Sequence, residues 1–334
     1  MNSVLLSICI TSYNRVDELK RCLKSIDTVN FEDVEIIISE DNSPRKKEIF
    51  NLINDIKRES KFRIIFNSNE RNIGYDRNLE KLISLSNGRY VLFCSDDDAF
   101  IPNALDKIYD YLQNNEESFV FTPFINHDGR IMRVRMKSIH YDVGEKSAKK
   151  ILRDSILFSG LIFRYECLKQ YSADAFVNLN YYQVYLALSV TYSCGAFFMN
   201  VPLIKEGGDG ENGFGTTELS NMNQYLADRK SVFSNLEFNK GLIKVVKIFD
   251  QEHSTNVLDA YSWNLSIGTY REMIAAYKQG NDVFEKYWEV LNSLPINVSI
   301  ISHIYYWMIK YLGISITTII LQLPRRLCLY IRKF

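Results

Sequence analysis

Three consecutive aspartates, Asp96, Asp97 and Asp98, directly follow an apolar run and carry the strongest chemical signal in the sequence. Adjacent carboxylates repel each other, and burying them without a partner is costly. Mg²⁺ or Mn²⁺ relieves this repulsion, since these ions take oxygen ligands and commonly bind one or two carboxylates together with substrate phosphates. Such an ion also neutralises a diphosphate leaving group. A solvated acidic loop, or a helix-cap cluster ahead of Pro102, is the alternative that the triplet alone leaves open.

Other polar residues follow two further apolar runs. Asp41 can accept a hydrogen bond from the imide of a uracil-type base, or can act as a turn residue before Ser43-Pro44. Tyr13 and Asn14 can form a wall for the base, or can pack and cap a helix.

A third group follows residues 62–66. Gly74 in Asn72-Ile73-Gly74 allows a tight turn. Arg77 can reach a base or a phosphate, or is simply a charge on a helix surface.

The elements that position these residues alternate along the first hundred residues. Apolar runs at residues 4–10, 34–38, 62–66 and 90–94 predict strands buried on both faces. Between them, apolar residues at helical spacing predict helices. This alternation predicts a mostly parallel α/β sheet flanked by helices, and such sheets bind ligands at the carboxyl ends of their strands. The polar residues above therefore share one edge.

The pattern changes beyond residue 119. It predicts strands at residues 119–122, 131–136, 160–164 and 196–201, a helix at 181–192, and a glycine-rich loop at 206–215. Helices are then predicted near 218–250, 254–279 and 282–293. We expect two domains, a ligand-binding domain of residues 1–215 and a helical C-terminal region of residues 216–334.

Composition narrows the class of partner. The 334 residues contain 40 basic and 40 acidic side chains, and this balance argues against nucleic acid as the main partner. The six cysteines form no C-x-x-C pair, and the four histidines lack metal-ligand spacing, which favours a reducing cytoplasm without a zinc site. The apolar run at residues 4–10 is short and has no basic leader, so we expect no signal peptide.

Five short motifs in a fixed order resemble family 2 glycosyltransferases of the GT-A fold, over residues 4 to about 210. They are Thr11-Ser12-Tyr13-Asn14-Arg15, Ile38-Ser39-Glu40-Asp41-Asn42-Ser43, Asn72-Ile73-Gly74 with Asn78, Asn87-Gly88-Arg89-Tyr90, and Asp96-Asp97-Asp98 with Pro102. The bacterial group that builds O-antigen and capsule, including abequosyltransferase-like members, is the most similar in character.

The resemblance implies a nucleoside-diphosphate sugar donor, with UDP favoured, and Mn²⁺ or Mg²⁺. It implies a nucleotide pocket, with Tyr13 and Asp41 at the base and Asp96 near the ribose, lined by Thr11, Tyr13, Asn14, Arg15, Asp41, Asn72, Gly74, Arg77 and Asp96. Asp97 is the expected metal ligand, with Asp98 beside it. Ser95 stands where many relatives carry the first Asp of a D-x-D motif.

The catalytic base departs from the family pattern. Inverting members use a carboxylate to take the proton from the acceptor hydroxyl. Many relatives carry a Glu-Asp pair at the start of a helix in the acceptor half, where this chain has Tyr182-Gln183. Candidate substitutes are Asp174, and Asp209 and Glu211 in the glycine-rich loop, which could close over the donor. A turn residue and solvated loop charges are the alternatives.

The C-terminal segment predicts membrane contact. Residues 304–323 are apolar apart from Lys310, Pro324 is expected to end this helix, and a basic amphipathic stretch follows. We expect peripheral, in-plane attachment at the inner face of a bacterial plasma membrane, consistent with a polyprenyl-linked acceptor. A buried helix or a homodimer face is the alternative.

The leading function is therefore an inverting transfer of a sugar from a nucleotide donor to a hydroxyl of a surface glycan. Residues 1–215 are then the nucleotide-sugar-binding and catalytic domain, and residues 296–334 are the possible membrane-associating tail. A non-catalytic nucleotide-sugar-binding relative, and a scaffold tethered to the membrane through residues 296–334, remain as alternatives. A nucleotidyltransferase is disfavoured because residues 11–15 contain no glycine for a phosphate loop.

Overall fold

The computed structural model describes residues 4–176, 179–208, 231–296 and 298–331. Asp209 and Glu211 lie outside the described residues. The chain forms two compact units, Met1–Asn223 and Gln224–Phe334. The domain functions assigned above, and their boundary near residue 215, stay predictions.

The first unit contains the strands and seven of the described helices. Its strands are β1 (Leu6–Ser12), β2 (Val34–Glu40), β3 (Arg63–Ser68), β4 (Tyr90–Ser95), β5 (Ala99–Phe100), β6 (Phe119–Phe121), β7 (Phe124–Ile125), β8 (Ile131–Met132), β9 (Ile139–Tyr141), β10 (Leu161–Arg164), β11 (Ala196–Phe198) and β12 (Ile204–Lys205). Its helices are α1 (Val16–Ser25), α2 (Lys46–Glu59), α3 (Tyr75–Leu85), α4 (Ala104–Asn114), α5 (Glu145–Ile151), α6 (Tyr165–Leu168) and α7 (Tyr182–Cys194).

The main sheet is parallel on one side and mixed on the other. Within the described residues its strand order is β3-β2-β1-β4-β10-β6-β11-β9. Ile8 of β1 pairs in parallel register with Ile36 on one side and Leu92 on the other, and all three side chains are buried. β10 then runs antiparallel to both β4 and β6. The parallel sheet predicted for the first hundred residues is thus confirmed, and its four strands end at one edge.

A smaller sheet of very short strands lies beside this edge, in the order β5-β12-β7-β8. The strand predicted at residues 131–136 is wrong in extent, because it ends at Met132. Arg133 has a φ of 57°, and this left-handed backbone cannot continue an extended strand. Pairing of Lys205 with Ala99 brings the start of the glycine-rich loop next to the acidic triplet.

The opposite edge of the sheet is closed by a buried polar cluster. Glu35 is fully buried and accepts hydrogen bonds from the Ser7 hydroxyl (2.7 Å) and the Asn87 amide (2.8 Å). The Gly88 amide donates to the same Ser7 hydroxyl at 2.8 Å. A Cβ atom on Gly88 would lie 2.6 Å from the Ser7 nitrogen, so this close approach of two strands requires glycine.

The second unit is helical over its described residues, as predicted. Its helices are α8 (Ser234–His253), α9 (Val257–Gly268), α10 (Tyr270–Gln279), α11 (Asn281–Ser293) and α12 (Ile300–Ile331). The helix predicted over residues 254–279 is divided at Thr269, whose hydroxyl donates to the Ser266 carbonyl at 2.7 Å. Such side-chain bonds to the backbone compete with regular helix.

Helix α12 passes Pro324, so the prediction that Pro324 ends it is wrong. The break lies at Gly313, with φ 73° and ψ 170°, a conformation that glycine adopts without a steric penalty. By length and composition alone, the segment Ile300–Leu321 is able to cross a membrane, and only 17% of its apolar window is buried.

Candidate functional site

The acidic triplet directly follows β4 and is partly neutralised by one arginine. The Arg15 guanidinium lies 2.9 Å from an Asp96 oxygen and 3.2 Å from an Asp97 oxygen. The Tyr13 amide donates to Asp96 at 3.1 Å. The segment after β1 is therefore fixed to the segment after β4, as expected for neighbouring strands with a shared edge.

Asp98 connects the triplet to two other parts of the chain. It accepts a hydrogen bond from the Gly207 amide at 3.1 Å and one from the Ser159 hydroxyl. The Ser159 oxygen also accepts a hydrogen bond from the Ser95 amide at 2.9 Å. The second residue of the glycine-rich loop at 206–215 is thus held at Asp98.

Burial makes the triplet electrostatically costly. It raises the pKa of Asp96 to about 7 against the opposing charge of Arg15. It also raises the pKa of Asp98 to about 7, and the nearby Asp97 charge adds to this shift. A divalent cation beside these groups would favour their ionised forms.

The triplet fits a magnesium-type ion but is not a complete protein cage. Among the described residues there is no group of three or more His, Cys, Asp or Glu side chains arranged to hold a metal. Carboxylate oxygens suit Mg²⁺ or Mn²⁺, which bind through one or two carboxylates, water and substrate phosphate. Arg15 pairs with Asp96 and with one Asp97 oxygen, and the other Asp97 oxygen accepts a hydrogen bond from the Ser95 hydroxyl at 2.5 Å. An ion at Asp97 and Asp98 would therefore share these oxygens with their present hydrogen-bond donors. The metal-binding role of Asp97 and Asp98 stays a prediction.

Asp41 holds the turn that precedes α3. One carboxylate oxygen accepts the Ile73 amide at 2.9 Å, and the other accepts the Gly74 amide at 2.9 Å. Asn69 adds a side-chain hydrogen bond at 2.9 Å, and the Asn72 side chain also accepts from Gly74 at 2.9 Å. Burial raises the pKa of Asp41. The turn uses most of this carboxylate, and its contact with a nucleobase stays a prediction.

The end of β1 presents polar atoms without a hydrogen-bond partner. Thr11 lies between Ser39 and Ser95 in the register of the sheet. Within the described residues, the Ser12 hydroxyl and the Asn14 side-chain oxygen are buried and make no hydrogen bond. Buried polar atoms in native proteins are normally satisfied, so these two suit a polar ligand at this edge.

An ion pair joins Arg77 to Asp174. Arg77 is predicted to contact the nucleotide, and Asp174 is a predicted candidate for the catalytic base. Arg77 also pairs with Glu80 at 2.8 Å. The hydrogen bond from Arg77 lowers the pKa of Asp174, and a carboxylate with a lowered pKa is a weaker proton acceptor. The two assigned roles stay predictions.

The start of α7 has no acidic side chain in its first turn. Gln183 accepts a hydrogen bond from the Tyr75 hydroxyl at 3.1 Å and donates to the Ile156 carbonyl at 2.9 Å. Sequence reasoning missed Asp76, whose carboxylate accepts the Tyr182 amide at 3.0 Å. Its only sequence signal was an acid in the first turn of a helix, which is equally typical of a dipole interaction.

The profile of the family described as Glycosyl transferase family 2 matches residues 7–179, just over half of the chain. The chain belongs to glycosyl transferase family 2. The resemblance inferred from the five motifs is confirmed, and the family region contains the acidic triplet, the Asp41 turn and Asp174. It ends before α7.

Three named relatives match the chain over a limited length. An abequosyltransferase from Salmonella typhimurium is 33% identical over 120 residues, which cover 35% of each chain. An uncharacterized glycosyltransferase from Methanocaldococcus jannaschii is 31% identical over 137 residues, 40% of this chain and 47% of the relative. A GalNAc(5)-diNAcBac-PP-undecaprenol beta-1,3-glucosyltransferase from Campylobacter jejuni is 31% identical over 105 residues, 31% of this chain and 33% of the relative. The chain thus spans between about a third and a half of the relatives it matches.

Two solved structures share the fold. S. aureus TarS 1–349 in complex with UDP-GlcNAc has a TM-score of 0.54 at 13% identity, covering 86% of this chain and 91% of that one. A mannosyltransferase from Pyrobaculum calidifontis in complex with GDP-Man and Mn²⁺ has a TM-score of 0.53 at 11% identity, covering 95% and 86%. The expected GT-A-type fold class is confirmed.

Proposed function

We propose that this protein transfers a sugar from a nucleoside-diphosphate sugar to a hydroxyl of a glycan acceptor. The observation that carries the proposal is the meeting of three features at one sheet edge of a family 2 chain. These are the acidic triplet, the turn held by Asp41, and the unpartnered polar atoms of Ser12 and Asn14. The complexes of the two structural neighbours with UDP-GlcNAc and GDP-Man support a nucleotide sugar as donor.

The chemistry at this edge is electrostatic. We assign Asp97 and Asp98 to a Mn²⁺ or Mg²⁺ ion, which when bound neutralises charge on the departing diphosphate. Arg15 adds a fixed positive charge beside Asp96 and Asp97. UDP is favoured as the nucleotide through Asp41, whose carboxylate can accept the imide hydrogen of uracil.

The proton of the acceptor hydroxyl needs a base for an inverting displacement. Asp174 is one candidate in the described residues, and it must leave its pair with Arg77 to act. Asp209 and Glu211 are the others, and they follow Gly207, whose amide is held by Asp98. A non-catalytic protein that binds nucleotide sugar is the second candidate function, because α7 begins with Tyr182 and Gln183 and has no acidic side chain in its first turn.

Isothermal titration with UDP and GDP, with and without Mn²⁺, tests the donor site. We expect binding of at least one nucleotide that requires Mn²⁺ and is weakened by more than about tenfold in Asp97→Asn. Asp110→Asn is the matched control, since Asp110 is exposed on α4. If Asp97→Asn binds nucleotide as tightly as the native protein, the metal assignment is contradicted. If the native protein binds neither nucleotide, the donor site is contradicted.

A donor screen separates the enzyme from the binder. The native protein is incubated with a panel of nucleotide sugars and extracts containing polyprenyl-linked glycans, and release of nucleoside diphosphate is measured. Acceptor-dependent release with one donor supports the transferase. Tight binding without release on any acceptor favours the non-catalytic relative or a scaffold.

We also propose that α12 lies in the plane of the inner face of a bacterial plasma membrane, where a polyprenyl-linked surface-polysaccharide precursor would be reached. Ile300, Ile304, Trp307 and Tyr311 are exposed along one face of the helix. These positions are spaced by three or four residues and therefore form one stripe. After Glu289 the chain contains no acidic residue, while Arg325, Arg326, Arg332 and Lys333 are basic, which suits an anionic surface.

A neighbouring face of α12 is fixed to the rest of the second unit. Tyr306 stacks on Trp288, and its hydroxyl donates to Glu285 at 2.6 Å. Lys310 pairs with the same Glu285 at 2.8 Å. A helix that crossed the bilayer would have to break this polar cluster or carry it into hydrocarbon, which is costly.

Sedimentation with phosphatidylglycerol vesicles tests the attachment. The double variant Ile304→Ser, Trp307→Ser should bind at least about fivefold less protein than the native chain. Met136→Ser removes a fully exposed apolar side chain from the first unit and should have no effect. A concentration-dependent dimer with no vesicle binding would support the homodimer face instead.

A further inference from the structure

Helix α3 begins directly after the turn that Asp41 holds, and its first two turns bind a distant part of the chain. The Arg77–Asp174 pair is one contact. Glu80 accepts hydrogen bonds from the Ala173 amide and the Ser172 hydroxyl, each at 3.0 Å. One side of the helix is therefore attached to the segment that leads into α7.

Asp76 makes the most buried of these contacts. Its side chain is 1% exposed, and its two oxygens accept the backbone amides of Leu179 (3.1 Å), Asn180 (2.9 Å) and Tyr182 (3.0 Å). Tyr182 is the first residue of α7. The first amides of a helix have no partner inside it, so Asp76 supplies from α3 the acceptor that the start of α7 needs.

The hydrogen bonds continue from α7 back to the acidic triplet. Tyr75, the neighbour of Asp76, donates to Gln183, and Gln183 donates to the Ile156 carbonyl. Three residues further, the Ser159 hydroxyl contacts Asp98 and accepts the Ser95 amide. The turn at Gly74 and the triplet are thus connected twice, directly along the sheet edge and through α3 and α7.

We propose that Asp76 is a positioning residue that transmits occupation of the nucleotide turn to the start of α7. The inference rests on the proposed donor site. A nucleotide that contacts Ile73 and Gly74 restricts the start of α3, and Asp76 is two residues beyond Gly74. Since its carboxylate holds the amides of residues 179, 180 and 182, restriction of α3 reduces local opening there as well. The start of α7, where relatives place their catalytic carboxylate, then opens less often when donor is bound.

Hydrogen exchange of the full-length protein tests this, with UDP or GDP and Mn²⁺ as probes. In the native protein we expect nucleotide to slow exchange at Ile73 and Gly74, and also at Tyr182, by about fivefold or more. In Asp76→Asn the slowing at Gly74 should persist, while that at Tyr182 should fall below about twofold. A purely structural capping role predicts faster exchange at Tyr182 that does not depend on nucleotide.

Two further variants keep the test decisive. Tyr75→Phe removes only the hydroxyl that reaches Gln183, and should partly reduce the effect at α7 even if Asp76→Asn does not fold. Asp55→Asn, an exposed aspartate on α2, should behave as the native protein. Slowing at Gly74 without slowing at Tyr182 in the native chain, or equal slowing at Tyr182 in native and Asp76→Asn proteins, overturns the proposal. No slowing anywhere with either nucleotide contradicts the donor site itself.

Discussion

The two sides of the sheet edge are built from different polar groups. On the side of β1 and β2, buried carboxylates do the holding: Asp41 accepts the amides of the turn before α3, and Asp96 accepts the Tyr13 amide beside Arg15. On the side of α7, the Asp76 carboxylate of α3 holds the backbone, but the helix itself begins with neutral side chains, and Gln183 is fixed between Tyr75 and Ile156.

The edge at β1 and β2 is thus suited to binding a charged donor, whereas the start of α7 is not suited to accepting a proton. Buried carboxylates are tolerated where N–H donors, an arginine or a cation can satisfy them. At the described start of α7 the Asp76 carboxylate accepts the Tyr182 amide, and the neutral side chain of Gln183 already has both a donor and an acceptor partner. The start of α7 is therefore organised for position, and under the proposed inverting reaction the base would come from another segment.

The largest effect is expected from Asp98→Asn. Asp98 joins the triplet to Gly207 and Ser159, so replacement by an amide removes a charge and one of two acceptor oxygens on the donor side. We expect donor turnover, measured as nucleoside diphosphate release, to fall by roughly 100-fold or more. Asp110→Asn should keep native turnover. If diphosphate release by Asp98→Asn falls by less than about threefold, the acidic triplet does not take part in the reaction.

Asp41→Asn should weaken the donor side next. An amide offers one oxygen where the carboxylate offers two, so Ile73 or Gly74 loses its bond to residue 41, and Gly74 alone retains a second acceptor in Asn72. Leaving a buried N–H unsatisfied costs about 1–3 kcal/mol. Titration should show nucleotide affinity reduced by about 10- to 100-fold, with a lower thermal midpoint. Unchanged affinity in a correctly folded variant would show that this turn does not contact the nucleotide.

The pH dependence of stability gives a separate measure of the contact between α3 and α7. Burial raises the pKa of Asp76 to about 6 despite its N–H partners, from an ordinary value near 4. Since the folded state binds this proton more tightly, the stabilisation is complete below about pH 4 and is lost as pH rises through about 6.

Asp76→Asn should abolish a pH-dependent change of up to about 3 kcal/mol in the free energy of unfolding, measured by urea unfolding between pH 4 and pH 8. Asp55→Asn should keep the native slope. An unchanged slope in Asp76→Asn would place the titrating group elsewhere.

Gln183→Glu is the sharpest test of the neutral side and should have the smallest effect. The new carboxylate loses the donor to Ile156 and sets oxygen against oxygen, at a cost of about 1–2 kcal/mol in the free energy of unfolding. Turnover should not rise. If Gln183→Glu instead accelerates diphosphate release with acceptor present, the start of α7 is a place for the base, and the contrast between the two sides is lost.

The sequence predicts the parallel half of the sheet because strands β1 to β4 are six or seven residues long and largely apolar. It does not predict β5, β7 or β12, since two residues are too few to show an alternating pattern. The break in α12 is misplaced for a related reason: Pro324 is a local signal, whereas Gly313 adopts its conformation in a folded context.

The candidate site also divides into residues that the sequence predicts and contacts that only the folded chain shows. Residues after parallel strands are brought to one edge by topology alone, so Asp41 and the triplet are foreseeable. The partners of Asp76 lie more than one hundred positions away along the chain, and no periodicity indicates them. The lack of an acid at Tyr182 and Gln183 is visible in the sequence, whereas the hydrogen bonds that replace it are not.

The close contact between Gly88 and Ser7 bears on what the Asn87-Gly88 motif indicates in this family. Asn87-Gly88 is one of the five motifs that mark the chain as a family member, yet it lies at the amino ends of the strands, away from any donor, and closes a joint between β1 and β4. Steric fit alone is enough to preserve it. A family member that had lost transferase activity would still need this motif in order to fold. The Asn87-Gly88 motif therefore indicates family membership, whereas the residues proposed to bind the donor lie at the other end of the same strands.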